Sequence, residues 1–443
     1  MTRFQPSDRA RNCFLPALLA GERGGRMRNR LQYHRGYHLS VGGLTLVLTL
    51  SLLGCDNLLE VELPGATTAE ALDDPGFATL LTTSVQGEFE CAYSSFVWGT
   101  SHLGGEIIGG FVEAGGAEWL QRNITPASSD YVGSGCGGTG VYAPMATARA
   151  LADDVIGRLQ AWTDQEVAGR GELLAKANLY AGFNYVIFGD AMCTAAFDNG
   201  PELQPAAMFE LAKDRFSEAT SASDAEIRNA AYVGLARANL SLGDNQAALS
   251  AAEQVSPGFS YDVTRSSANN ARRNIIYLNN NQNRRISIDP HYWDVTWMGV
   301  PDPRVAVANT GGKTTDGVTD LWLQTKYGSD SAPYRLASHV EAQLIIAEAA
   351  GGQRAVDIIN ELHAAAGIPP FEGGSEAEIR AQVIEERRRE FFLEGKRFGD
   401  LRRYGGFDEW TKGTHPFTPI TYGGNECMPL PNVERFNNPS LSG

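Results

Sequence analysis

Positive charge is scarce in this chain. Its 443 residues carry 37 Lys and Arg against 52 Asp and Glu, for a formal net charge of −15. That balance excludes general nucleic-acid binding, which needs a cationic surface to displace phosphate counterions. Long apolar runs are lacking as well. The run Leu44–Leu53 is about half of the ~20 residues a membrane-spanning helix requires. Catalytic signatures are absent: there is no P-loop, no HExxH and no GxSxG. Gly133-Ser-Gly135-Cys-Gly137-Gly138 matches GxGxxG, but no apolar strand precedes it, so no dinucleotide site is read there. Beyond residue 54 the histidines, His102, His291, His339, His363 and His415, lie far apart. Adjacent acids such as Asp153 and Asp154 point apart on a helix and make a poor acid/base pair. Nothing here implies a cofactor or a metal, and we expect no enzyme.

The N-terminal part has a different character. Arg28, Arg30 and Arg35 precede the Leu44–Leu53 run, and Leu52-Leu53-Gly54-Cys55 follows at once. This is the layout of a bacterial signal peptide ending at a lipidated cysteine, with Met27 as its natural start. Residues 1–54 are then the signal peptide and Cys55 the lipid-bearing N-terminus. Removal of the leader takes away eight arginines and only two acids, Asp8 and Glu22, so the mature chain is more acidic still. Four cysteines, Cys91, Cys136, Cys193 and Cys427, are left besides Cys13 and Cys55. An even number in an exported chain suits two disulfides, with three connectivities open. No zinc-like spacing is present among them.

Helical periodicity governs two stretches. Apolar stripes predict helices over about 145–162, 167–189, 205–220, 227–242 and 246–255, then over 334–349 and 356–366. Small residues such as Ala175, Ala177, Ala231 and Ala236 allow close helix approach. The texture is that of tetratricopeptide-like helix pairs, which stack because one pair cannot bury its own face. Ser375, with Glu378 three residues on, predicts a capping box that opens a last long helix.

Between these stretches lie two irregular ones. Residues 86–143 are rich in Gly and 257–334 in Asn, Gly, Asp and Pro, and both carry scattered aromatics. Rings off the helix stripes, in turn-rich segments, point to a binding face. Trp98 and Trp119 from the first segment and Tyr292, Trp293 and Trp297 from the second are the candidate ligand-binding residues. The four-residue spacing of Trp293 and Trp297 would place both on one side of a local helix. Asp294 and the Asn279–Asn283 run are candidate hydrogen-bonding partners for hydroxyls or amides.

The C-terminal stretch Ile384-Glu-Glu-Arg-Arg-Arg-Glu-Phe-Phe-Leu-Glu-Gly-Lys-Arg-Phe-Gly-Asp-Leu-Arg-Arg403 sets charges on or beside a face that should be buried. Buried charges must be paired, and Arg387, Glu390 and Glu394 are the expected network. The stretch closely resembles the C-terminal signature of the SusD/RagB family of nutrient-binding outer-membrane lipoproteins. The Leu-Leu-Gly-Cys55 motif, Asp302-Pro-Arg304, Leu323–Tyr327, the Ile-Ile-Ala-Glu-Ala helix end and the Pro/Asn-rich tail from Asn425 to Pro439 add to that resemblance. It implies a structural role for Glu386, Arg387, Arg389, Glu390, Glu394, Gly395, Arg397, Asp400, Leu401 and Arg402. It also implies a mostly α fold, a tetratricopeptide-like superhelix with long irregular loops, forming a single domain over 55–443. The helical scaffold would occupy about 145–256 and 335–404, and the loop-rich ligand face about 86–143 and 257–334. The implied function is capture of a glycan or oligopeptide at the cell surface and its delivery to a SusC-like, TonB-dependent outer-membrane transporter, from a lipid anchor. The competing readings are a secreted glycan hydrolase with carboxylates distant in sequence, and a helical-repeat scaffold that binds only proteins. Of the three connectivities, we expect Cys91–Cys136, bracketing the Gly-rich loops, and Cys193–Cys427, holding the tail to a scaffold helix.

Overall fold

The computed structural model describes residues 70–111, 117–133, 135–436 and 438–441. Cys55 and the signal sequence lie outside these residues. The described residues belong to one compact unit, Thr67–Gly443. Its frame is a series of helices: α1 Ala78–Leu103, α2 Tyr142–Ala161, α3 Arg170–Ala191, α4 Pro205–Ala219, α5 Ala225–Ser241, α6 Asn245–Ala252, α7 His339–Ala350, α8 Gly352–Ala366, α9 Glu376–Glu390 and α10 Arg397–Tyr404. Each of α1 to α9 packs on its successor, and α10 returns to α1 and α3. The fold is mostly α, a tetratricopeptide-like array with long irregular segments.

Local chemistry sets the helix limits. Asp224 and Asp244 accept hydrogen bonds from the first turns of α5 and α6, and Ser338 does the same for α7. The capping box of Ser375 and Glu378 opens α9. Each such cap satisfies backbone N–H groups that have no partner inside the helix. Close packing follows from small residues. The Phe216 ring of α4 lies between Gly182 of α3 and Gly234 of α5, where an added Cβ would stand 2.7 Å and 2.3 Å from it.

Two sequence expectations fail here. The expected loop at 86–103 is the C-terminal part of α1. From Phe89 onward that helix is buried on every side. A helix covered all round has no polar face, so the periodicity that betrays other helices is erased. The stretch 334–338, expected to begin α7, is instead a strand.

Helices α6 and α7 pack together although residues 253–338 separate them in sequence. The inserted segment is built from short antiparallel ladders. Strand β1, Ile107–Gly109, pairs with β3, Ile286–Ile288, and β2, Ser260–Val263, pairs with β8, Tyr334–Ser338. The hairpin β4–β5 (Thr296–Trp297 and Val300–Pro301) and the hairpin β6–β7 (Val307–Lys313 and Asp320–Gln324) complete it. Disulfides join Cys91 to Cys136 and Cys193 to Cys427, the two pairings expected. The second ties the end of α3 to the tail, where Cys193 N–H also donates to Met428 O.

Candidate functional site

The signature stretch works as a set of charged pins. Arg387 donates to both oxygens of Asp400, at 2.8–3.2 Å. Glu386 accepts from Arg304 at 2.6 Å, from Gln382 at 2.6 Å and meets His363 Nε2 at 2.8 Å. Arg389 reaches Glu385 and Asp302. Glu394 is clasped by Lys326 at 2.8 Å and Lys396 at 3.0 Å. Arg304 and the neighbouring Arg389 hold the Asp302 carboxyl down at about 2 against the effect of burial. The expected network of Arg387, Glu390 and Glu394 is therefore replaced by pairings across elements, which neighbour counting along one helix does not reveal. Glu390 is left with Arg304 at 3.9 Å and no side-chain hydrogen bond.

The proposed ligand rings separate into two groups. Trp98, Trp119 and Tyr292 are core residues, 2%, 0% and 0% exposed. Trp98 packs edge-on to His102, which stacks with Trp119, while Tyr292 stacks on Phe392 at 4.7 Å. Rings so enclosed offer no face to a solute. Trp98 shows no helical period because its helix is buried on every side there, and Trp119 and Tyr292 lie in single short turns that have none to show. Trp297 lies in β4 against His363 and Phe371. Trp293 follows a short 3₁₀ turn and stacks on Trp322 at 4.5 Å and 10°. The two tryptophans thus share no helix and meet different neighbours. Two of the asparagines are turned inward: Asn280 bonds Ile286 O, Trp322 O and the Gln324 N–H, and Asn281 pairs with Gln324, whereas Asn283 and Asp294 are exposed.

A different aromatic platform stands in its place. Half-buried Trp293 leans on Phe417 at 6.1 Å. Phe417 meets His415, His415 meets Tyr422, and the Arg122 guanidinium lies over Tyr422 at 4.1 Å. Arg122 also pairs with buried Asp289 and donates to Trp410 O. Asp289 in turn holds His291 Nδ1 at 2.6 Å, and the exposed His291 ring rests on half-buried Trp410 at 4.5 Å. Arg122 and His291 keep the Asp289 carboxyl below its ordinary range despite burial. Trp410, Phe417 and His291 were not singled out in the sequence. Phe417 and Trp410 lie between α10 and the tail, in a stretch too short of regular structure to mark them.

A cleft of 430 Å³ opens beside the pins, lined by Arg304, Lys326, Arg335, Asp262, Glu390 and Glu394 among others. Glu88, Cys91 and Cys136 also cluster, but both sulfurs are spent in the disulfide and offer no thiolate to a metal.

Residues 308–428 match the sequence profile of the SusD family. No curated protein matches the chain by sequence. Among solved structures, a SusD superfamily protein of Parabacteroides distasonis is similar, with a TM-score of 0.64 at 12% identity over 85% of this chain and 99% of its own. A SusD superfamily protein of Bacteroides vulgatus gives 0.61 at 16% identity, over 83% and 98%. A laminarin-binding SusD-like protein gives 0.62 at 16%, over 82% and 98%. The profile lies over β6–β7, the late helices, the signature and the tail, and the fold likeness to SusD superfamily proteins extends through most of the described chain; the chain has a SusD-like fold, and its C-terminal part matches the SusD family.

Proposed function

We propose that this chain is a lipid-anchored outer-membrane protein at the cell surface. It captures a nutrient, a glycan or an oligopeptide, and hands it to a SusC-like, TonB-dependent transporter. The observation that carries the reading is the half-buried ring pair of Trp293 and Phe417 on a SusD-like fold. Flat rings suit a sugar face, and a similar fold occurs in a laminarin-binding protein. The anchor rests on the motif at Cys55. Among the described residues no helix is long and apolar enough to cross a membrane. The test is a tryptophan-fluorescence titration with β-glucan, other glycan and peptide pools, repeated with Trp293→Ala and Phe417→Ala. Binding that is lost at least tenfold in both variants supports the platform. Undiminished binding in both, with the fold intact, removes it.

One observation favours a hydrolase. Burial and the nearby Glu394 raise the Glu390 carboxyl, while Lys326 and Lys396 lower that of Glu394. Carboxyls pushed apart in this way are the mark of an acid and a base. Both oxygens of Glu394 are nevertheless held by lysines, so it is poorly placed to attack a sugar or activate water. Absence of product release from the same glycans would uphold capture over hydrolysis.

A further inference from the structure

The cleft beside the signature has a charge pattern that its structural role does not use up. Three cations and three carboxylates line it, yet they are unequally satisfied. Lys326 Nζ spends its donors on Glu390 O, Phe392 O and Glu394 Oε1. Arg304 forks onto both Asp302 oxygens and reaches Glu386. Arg335 Nε is bound to Asp262 at 2.6 Å. Glu394, 6% exposed, has a lysine on each oxygen. Of the three carboxylates, Glu390 alone has no hydrogen-bond donor on either oxygen among the described residues, and its side chain is 26% exposed at the cleft.

We propose that this cleft binds a primary ammonium group, carried by an amino sugar or by a lysine side chain of an oligopeptide, with the Glu390 carboxylate as its counter-ion. An ammonium presents three donors and no acceptor, which matches a site where Lys326 and Arg304 are engaged and the carboxylate of Glu390 is spare. The volume falls within the ~300–1,000 Å³ of small-molecule pockets. The neighbouring carboxylate Glu394 strengthens the case. Its repulsion helps to raise the Glu390 carboxyl, and a bound cation relieves that repulsion. Binding then expels the proton from Glu390, so affinity rises with pH through the titration of that group. The anions that an empty cationic site would attract find Lys326 and Arg304 already committed. This inference rests on the cleft alone. Failure of the aromatic platform with neutral glycans leaves it standing, and its own failure leaves the platform untouched.

The experiment is calorimetric titration of the mature chain with four probes: a glucosamine tetramer, its N-acetylated form, trilysine and fully Nε-acetylated trilysine. The expected result is binding of at least one amine probe, weakened tenfold or more by acetylation and tenfold or more by Glu390→Gln. Which amine binds tells amino sugar from peptide. Glu390→Asp keeps the charge and should recover part of the affinity. Among the described residues Glu390 makes no hydrogen bond from its side chain, and burial raises its carboxyl, so Glu390→Gln should melt no lower than the parent, and the melt is recorded beside each titration. Equal binding of acetylated and free probes, undiminished binding by Glu390→Gln, or no binding of either amine at millimolar concentration overturns the proposal.

Discussion

Phe216 and Arg304 hold their neighbourhoods in opposite ways. Phe216 joins α3, α4 and α5 by shape: its ring fits where Gly182 and Gly234 leave no side chain. Arg304 joins the inserted segment to α9 by charge, through Glu386, with Asp302 on its other side. The same division holds widely. The array is packed by Ala, Gly and aliphatic side chains. The insert, which has only short two-stranded ladders of its own, is pinned through Arg304, Lys326, Asp302 and Tyr327, whose hydroxyl donates to Leu393 O. Dispersion packing is non-directional and tolerates many arrangements of irregular chain. Forked ion pairs fix register and angle. A segment without its own core is therefore positioned by charges, and the ring platform and the cleft inherit that positioning.

Removing a pin is the most damaging way to break this contrast. Glu386 is fully buried between Arg304, His363 and Gln382. Glu386→Ala leaves Arg304 with Asp302 alone and takes the buried acceptor from Gln382 and His363, and should cost about 3–5 kcal/mol. Urea denaturation measures it. A cost below about 1 kcal/mol would mean that the insert is held by packing after all.

The next effect reads the pins through pH. Glu106, beyond the end of α1, accepts from Leu393 N–H at 2.7 Å and from Ser101 at 2.8 Å. Burial pushes its carboxyl up to about 7. In the folded state it therefore holds its proton longer than in the unfolded chain. Its contribution is full at pH below the ordinary Glu range and is lost as pH rises to about 7. Asp302, held down at about 2, has the opposite sign: its contribution is present above the ordinary Asp range and fades as pH falls toward 2. Glu106→Gln should thus gain on the parent by on the order of 2–3 kcal/mol between pH 4.5 and 7.5. Parallel stability curves for the two proteins would contradict this.

Most of the array was legible in the sequence because α2, α4, α6, α8 and α9 each leave one face in water, and water writes the period; α3, buried on every side from Ala177 to Gly189, was legible from its small residues, which let helices approach. Helix α1 was not, because its second half has no such face. The signature told that charges must be buried but not with whom, since Asp400, Lys326 and Asp302 come from outside the helix. The platform was legible only at Trp293. A ring in an irregular segment carries no local signal of which way it faces, so Trp98, Trp119 and Tyr292 read like it and proved to be core.

Packing by shape is broken more gently. Gly234→Ala sets a methyl against the Phe216 ring, with the backbone of α5 unable to retreat from α4. Overpacking of this kind costs about 1–3 kcal/mol. Pairing it with Phe216→Leu should recover part of the loss, because the smaller side chain makes room. A double variant no more stable than the sum of the two singles would show that the ring and the glycine do not meet.

The smallest effect sharpens what counts as a pin. Arg354 of α8 pairs with Glu253, just past α6, at 2.7 Å, with both side chains more than two-fifths exposed. Its distance equals that of the best buried pairs, yet water competes for both partners and each side chain loses freedom to hold it. Exposed pairs of this kind contribute about 0–1 kcal/mol, and salt screens them further. Glu253→Ala should leave the denaturation midpoint nearly unchanged, and raising the ionic strength should erase what difference remains. The same salt titration on the Glu386→Ala protein should leave its much larger loss in place, because that pair is shielded from solvent. If salt moved both variants alike, burial would not be what separates a pin from a surface pair, and the contrast between array and insert would have to be drawn on other grounds.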